Sequence, residues 1–297
     1  MNVRTRQGSD AGSPKRVVLC ADDYGIAPGV GAAIRDLIER GRLTATSCMV
    51  AGPHWPGEAA LLKPYAGRAD VGLHLTLTDQ APAGAMPTLA PEGRLPSLSK
   101  LLLWAHTGRL DRAEIATEIE RQLDRFEGAF GRPPDFVDGH HHVHQLPSVR
   151  EPLLEIFRRR LKRHGVRVRY CDEPLSSLLR SGAAIAARAA LISALGRRFR
   201  RLGRAAGIEG NSGFRGVRTF GERVPYERLF ETFLAGIRDG TLIMCHPGLL
   251  DSALAAADSV GVQREEEYRY FLGERFASTL RANDVALILF RQLPMGV

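Results

Sequence analysis

The chain has 297 residues, 44% of them apolar, which is enough for a buried core in one large domain or two small ones. It holds no run of about eighteen uncharged apolar residues, and Met1 to Lys15 lacks the apolar segment of a secretory signal; this excludes a membrane-spanning helix and points to the cytoplasm. Cys20, Cys48, Cys171 and Cys245 show no C-x-x-C spacing, which argues against a zinc-thiolate cluster and a disulfide framework, while a formal charge of +8 by itself says little about fold or site.

Residues 1–15, rich in Gly, Ser, Arg and Asp, bury too little apolar surface to offset their ordering entropy and read as a flexible tail. Apolar runs at 16–22, 43–50, 70–77, 135–140, 166–170, 241–246 and 284–290 are candidate strands. After the first of these, Val30, Ile34, Leu37 and Ile38 mark the buried side of a helix that stops at Gly41. The Pro/Gly-rich stretch from Ala81 to Pro96 reads as a long loop near the site. Ile115, Ile119, Leu123, Phe126 and Phe130 form one helical stripe, with Asp111 as its cap, Glu114 three residues on as a capping-box partner, and Gly131 past its end. Arg197, Arg198, Arg200, Arg201 and Arg204 crowd one later stretch and read as a solvated helix face. Strand and helix alternate throughout, which predicts an α/β fold with a parallel sheet curled into a barrel or distorted barrel; an open doubly wound sheet is the alternative. Neither a G-x-G-x-x-G nor a P-loop motif supports nucleotide binding.

Four polar clusters sit where these strands end: Asp22 and Asp23 with Tyr24, His74, Asp138 with His140 to His144, and His246. In a barrel or parallel sheet those ends share one face, so residues remote in sequence meet there. Adjacent strand residues point to opposite faces, so Asp22 and Asp23 are expected to differ in role, one ligating a cation and the other handling a proton. In VGLHLTL, His74 falls on the polar side of an alternating strand. DGHHHVH packs four histidines into five positions, and imidazole with carboxylate suits a catalytic divalent ion. His140, closest to the strand end, is best placed to converge with His74; His142 and His144 are candidates either to support the ligands from behind or to contact substrate, and Tyr24 is a further candidate substrate contact. Pro247 and Gly248 turn the chain straight after His246, which exposes its ring to give a proton to a leaving amine.

ADDYG, TATSCMV, GLHLTL, DGHHHVHQLP, CHPG and REEEYRYF, in this order over residues 16–292, resemble the YdjC-like carbohydrate deacetylase family (ChbG/HpnK type). The resemblance implies a distorted (β/α) barrel of the polysaccharide-deacetylase kind over residues 16–297. It also implies one divalent metal, Mg or Zn, and removal of acetyl from an N-acetylated amino sugar, either chitooligosaccharide-like or a lipid-linked glycoside. Carried over by position, it makes Asp23, His74 and His140 the metal ligands and Asp22 the base. The rival from another class is a sugar- or metal-binding protein that performs no chemistry. Residues 176–206 hold a single aromatic, Phe199, so no nucleic-acid partner is expected; weak contact with a membrane surface and a homodimer remain open as partners.

Overall fold

The computed structural model describes residues 13–173, 183–218, 224–257 and 260–294. Residues 1–12 of the expected tail lie outside these, and Lys15 already belongs to the first strand. Eight parallel strands form one sheet: β1 (Lys15–Tyr24), β2 (Ala45–Cys48), β3 (Asp70–Leu75), β4 (Phe136–Gly139), β5 (Arg167–Val168), β6 (Gly213–Arg215), β7 (Thr241–Cys245) and β8 (Val285–Leu287). Their order is β5-β4-β3-β2-β1-β7-β6, and β8 pairs with the first residues of β1. All seven expected strands are present, and β6 is added; three residues ending in arginine carry too little apolar pattern to stand out.

The helices are α1 (Pro28–Glu39), α2 (Trp55–Leu62), α3 (Leu98–His106), α4 (Arg112–Phe130), α5 (Arg150–Ile156), α6 (Ala183–Ala205), α7 (Tyr226–Leu234), α8 (Ser252–Ala257), α9 (Gly261–Leu272) and α10 (Glu274–Ala282). Among the described residues none is long and apolar enough to cross a membrane. The apolar side chains divide into two clusters. The larger one packs the outward faces of the strands, such as Leu19, Val71, Leu73 and Leu75, against helix residues such as Ile34, Leu37, Ile119 and Leu123. The smaller one, with Val18, Cys20, Phe136, Phe214, Leu242 and Phe290, fills the inside of the curl. A doubly wound sheet also has a core on each face; what excludes that alternative is the strand order, which runs from β1 to β5 on one side and back through β7 to β6 on the other, so that the two edges meet and the sheet curls round the smaller cluster.

Closure is imperfect between the edge strands β5 and β6. Val168 forms a single parallel bridge with Gly210, and the Asn211 side chain accepts from Tyr170 N–H at 2.8 Å and donates to the Tyr170 carbonyl at 2.8 Å, in place of a backbone rung. The molecule is therefore a distorted (β/α) barrel. Phe136 fills its interior only because Gly72 lies opposite, where a Cβ would come within 2.4 Å of the ring.

Asp111 caps α4 through Ala113 N–H and Glu114 N–H, and Gly131 ends the helix in the left-handed region at φ 80°. The capping box is not formed, since Glu114 accepts instead from Thr88 N–H and Leu89 N–H. Two polar residues on the buried side of α4 shape the rim of the site. Gln122 binds both backbone groups of Thr76 just past β3, and Glu118 accepts from Ala83 N–H at 2.6 Å. On α6, Arg197, Arg198, Arg201 and Arg204 are exposed, while Arg200 pairs with Asp172 at 2.6 Å and lies over the Tyr170 ring. The arginine run is a solvated face with one member turned inward.

Candidate active site

The ends of β1, β3, β4 and β7 surround a cavity of about 420 Å³ lined by Asp22, Asp23, His74, His140, His142 and His246. Asp79, Gln80 and Arg94, from and beside the long loop, line its rim.

Asp22 and Asp23 both reach the cavity, which simple strand alternation forbids. The β1–β2 register slips between Ala21 and Tyr24, and Asp23 adopts φ 66°. This bulge rotates Asp23 inward beside Asp22, so the expected opposite facing is corrected. Aspartate tolerates the left-handed region better than most residues, and such conformations gather at functional sites. Tyr24, beyond the bulge, points into the outer layer. Its hydroxyl donates to the Glu58 carbonyl at 2.8 Å and accepts from Arg35, so it does not contact the cavity, contrary to the expectation for it.

His74 and Asp138 are direct neighbours across β3 and β4, and His74 Nδ1 lies 2.6 Å from Asp138 Oδ1, which also accepts from the Ser47 hydroxyl. That bond aims Nε2 at Asp23 Oδ1, 3.3 Å away. His140 Nδ1 approaches the same oxygen at 3.0 Å. The other oxygen, Oδ2, accepts from Arg264 of α9 at 2.6 Å. One donor atom from each of Asp23, His74 and His140 lies within 4.8 Å of the others. Donors bound at about 2.0–2.2 Å to one ion stand about 3 Å apart, so these spacings fit a single ion with open positions on the cavity side. The carboxylate behind His74 is the usual support for a metal-ligating imidazole.

Cys20, Asp22 and Asp138 also converge, but there the buried Arg169 guanidinium already sits among them. It binds Asp22 through two bonds of 2.6 and 2.5 Å, Asp138 at 2.6 Å and Cys20 Sγ at 3.1 Å. That group is an ion-pair centre with no room for a metal.

Left-handed residues His141 and His142 coil the chain after His140. His142 stays at the cavity wall, 3.6 Å from Cys171 Sγ. His144 is turned fully inward, where its Nε2 lies 3.0 Å from the Arg169 carbonyl and burial pushes its pKa down to about 4. It supports the fold beneath the site, and the expected substrate contact is corrected. His246 follows β7 into the cavity wall, and Glu267 Oε2 accepts from its backbone N–H at 2.5 Å. Burial lowers the His246 pKa, while Asp23, Glu267 and Asp22 pull it upward.

Arg169, Arg264, Arg218 and Glu267 were not anticipated as site residues. Arg169 left a trace in VRVRY, an arginine alternating with apolar residues in a strand, and Arg264 and Glu267 both lie in REEEYRYF.

In the metal-free protein burial opposes charge on His74, yet Asp138 and Asp22 overcome it and raise its pKa from 6.5 to about 10. Burial likewise opposes ionised Asp138, but Arg169 and His74 hold it at about 2. The folded state therefore binds the His74 proton more tightly than the unfolded chain does. That contribution is complete below pH 6.5 and is lost as pH rises through about 10. The Asp138 contribution is complete above its usual 3.8 and is lost as pH falls through about 2. Chelator-treated protein is expected to lose stability from pH 6.5 to 10 in urea titrations, and His74→Gln to flatten that limb; a slope unchanged by the mutation would refute the assignment.

The model of the YdjC-like protein family matches residues 16–282. The chain is 40% identical over 146 residues to a chitooligosaccharide deacetylase of Serratia marcescens, covering 48% of this chain and 55% of that protein. Against a chitooligosaccharide deacetylase of Yersinia pestis it is 38% identical over 173 residues, covering 55% and 66%. The chain thus spans between half and two thirds of the length of the curated relatives it matches. A solved structure from Enterococcus faecalis V583, of a candidate cellobiose-phosphate cleavage protein, superposes with a TM-score of 0.75 over 95% of this chain and 100% of its own at 19% identity, a likeness of fold. With its family motifs gathered at one end of this barrel, the chain belongs to the YdjC-like protein family.

Proposed function

We propose that the protein removes the acetyl group from an N-acetylated amino sugar, with a divalent ion held by Asp23, His74 and His140. The observation that carries this reading is the convergence of that donor set with a second carboxylate, Asp22, and an imidazole, His246, on one cavity. The relatives are chitooligosaccharide deacetylases, and that activity names the substrate class that fits it.

When bound, a divalent ion supplies Lewis acidity toward the acetamide oxygen and its negative charge. Asp22, fixed by two bonds to Arg169, takes a proton from the attacking water. His246 gives a proton to the nitrogen as the C–N bond breaks, so acetate and a free sugar amine leave. Asp79, Gln80 and Arg94 at the rim are placed to meet the sugar's hydroxyls. A chitooligosaccharide-like sugar and a lipid-linked glycoside both present the reacting acetamide.

Acetate release from a panel of N-acetylated sugars, with and without chelator, tests the reading. Release abolished by chelator and restored by Mg or Zn supports it. Binding of the sugars with no release would favour the non-catalytic binding protein instead. The donor-competent form of His246 gains as pH falls, so kcat is expected to fall on an alkaline limb, and His246→Gln to lower kcat and remove that limb. A limb that persists in His246→Gln would take the acid role from this residue.

A further inference from the structure

The segment REEEYRYF forms most of α9, and two of its side chains reach the site from one face of the helix. Arg264 holds Asp23 Oδ2 at 2.6 Å, and Glu267, one turn on, accepts from His246 N–H at 2.5 Å. The helix grips the same turn a second time, since the Arg264 carbonyl accepts from Gly248 N–H at 3.1 Å. Glu267 is fully buried, and its other oxygen accepts from Arg218 at 2.8 Å; Arg218 is itself buried and lies over the Tyr226 ring.

We infer that Glu267 is a positioning residue that acts through His246, fixing the turn that carries the imidazole relative to Asp23. This rests on the deacetylase reading above. His246 is the first residue past β7, and its N–H donates to the Glu267 carboxylate. A neutral carbonyl could satisfy that group, yet a buried carboxylate does so, held in place by a buried guanidinium. Charge-assisted bonds are shorter and stiffer than neutral ones, and an ion pair without solvent has few alternative arrangements. Because Arg264 and Glu267 sit on one rigid helical turn, the same element that braces the metal-binding carboxylate also sets where the proton donor stands. Proton transfer demands such placement, since a donor displaced by about 1 Å loses much of its advantage.

The discriminating test varies the leaving group. Release of a sugar amine needs a proton, whereas p-nitrophenolate leaves without one. Glu267→Ala is expected to lower kcat for the acetamide about a hundred-fold with KM changed less than about three-fold, while p-nitrophenyl acetate hydrolysis and bound metal stay within about three-fold of the wild type. Glu267→Gln, which keeps an acceptor for the His246 N–H, is expected to recover most of the acetamide activity. In the His246→Gln background, Glu267→Ala should cost little more, as befits two residues acting as one unit. Equal losses on both substrates, additive losses in the double variant, or no loss at all would overturn the inference. Should Glu267→Ala fail to fold, Glu267→Gln is read for the same split on a smaller scale, about five-fold on the acetamide alone, and equal effects on both substrates overturn it. If the wild type releases no acetate from any N-acetylated sugar, the deacetylase reading fails. The positioning claim is then judged from a crystal structure of Glu267→Gln, where an unmoved His246–Gly248 turn with its hydrogen bond intact supports it and a turn that shifts despite the amide acceptor overturns it.

Discussion

Asp22→Asn is expected to keep its bound metal and lose turnover. The three donors Asp23, His74 and His140 do not include Asp22, and its own contacts run to Arg169 and Cys20 rather than to the ligand set. An amide has nearly the same shape but cannot take a proton from water, so the loss should be that of a general base, about 10²- to 10⁴-fold in kcat. His74→Ala is the complementary variant. It removes a ligand and leaves the Asp138 carboxylate without the imidazole it orients, so metal content itself should fall. Metal analysis after dialysis, paired with acetate release, separates the two outcomes. Turnover near the wild-type level in Asp22→Asn would remove it from the base role, and metal loss in that variant would move it into the ligand set.

The parts of the fold and site that sequence made legible are those fixed by local pattern. The α4 stripe, its Asp111 cap and Gly131 depend on neighbours three or four residues away, and strand ends place His74, His140 and His246 at the mouth without any knowledge of tertiary contacts. What escaped depends on backbone rotation or on distant partners. The left-handed turn at Asp23 reverses the facing that alternation assigns, and two more at His141 and His142 carry His144 into the core. His74 sits on a side that looks polar in sequence yet is buried, because in a curled sheet the second face is an interior rather than a solvent surface. Arg169 and Glu267 gain their roles from residues 147 and 21 positions away, and no spacing rule reaches that far.

Arg169→Met should be the most destabilising single change near the site. The guanidinium is fully buried and compensates two carboxylates at once, Asp22 and Asp138, at 2.5–2.6 Å. Methionine fills similar volume but leaves both acids without their shared partner, and removing one side of a buried ion pair costs about 3–5 kcal/mol. The cost has a direction in pH. Arg169 is the largest of the charges that hold Asp138 at about 2, so without it the folded-state pKa rises. A carboxyl whose folded pKa is raised favours folding only while protonated, and that benefit disappears as pH climbs through the raised value. Urea unfolding should therefore show a larger deficit at pH 8 than at pH 5. Adding Asp22→Asn removes one of the two stranded charges, so the double variant should be more stable than Arg169→Met alone. A deficit below about 1 kcal/mol at pH 8 would mean that Asp22 and Asp138 are compensated by something other than the guanidinium, and the ion-pair account of this centre would be wrong.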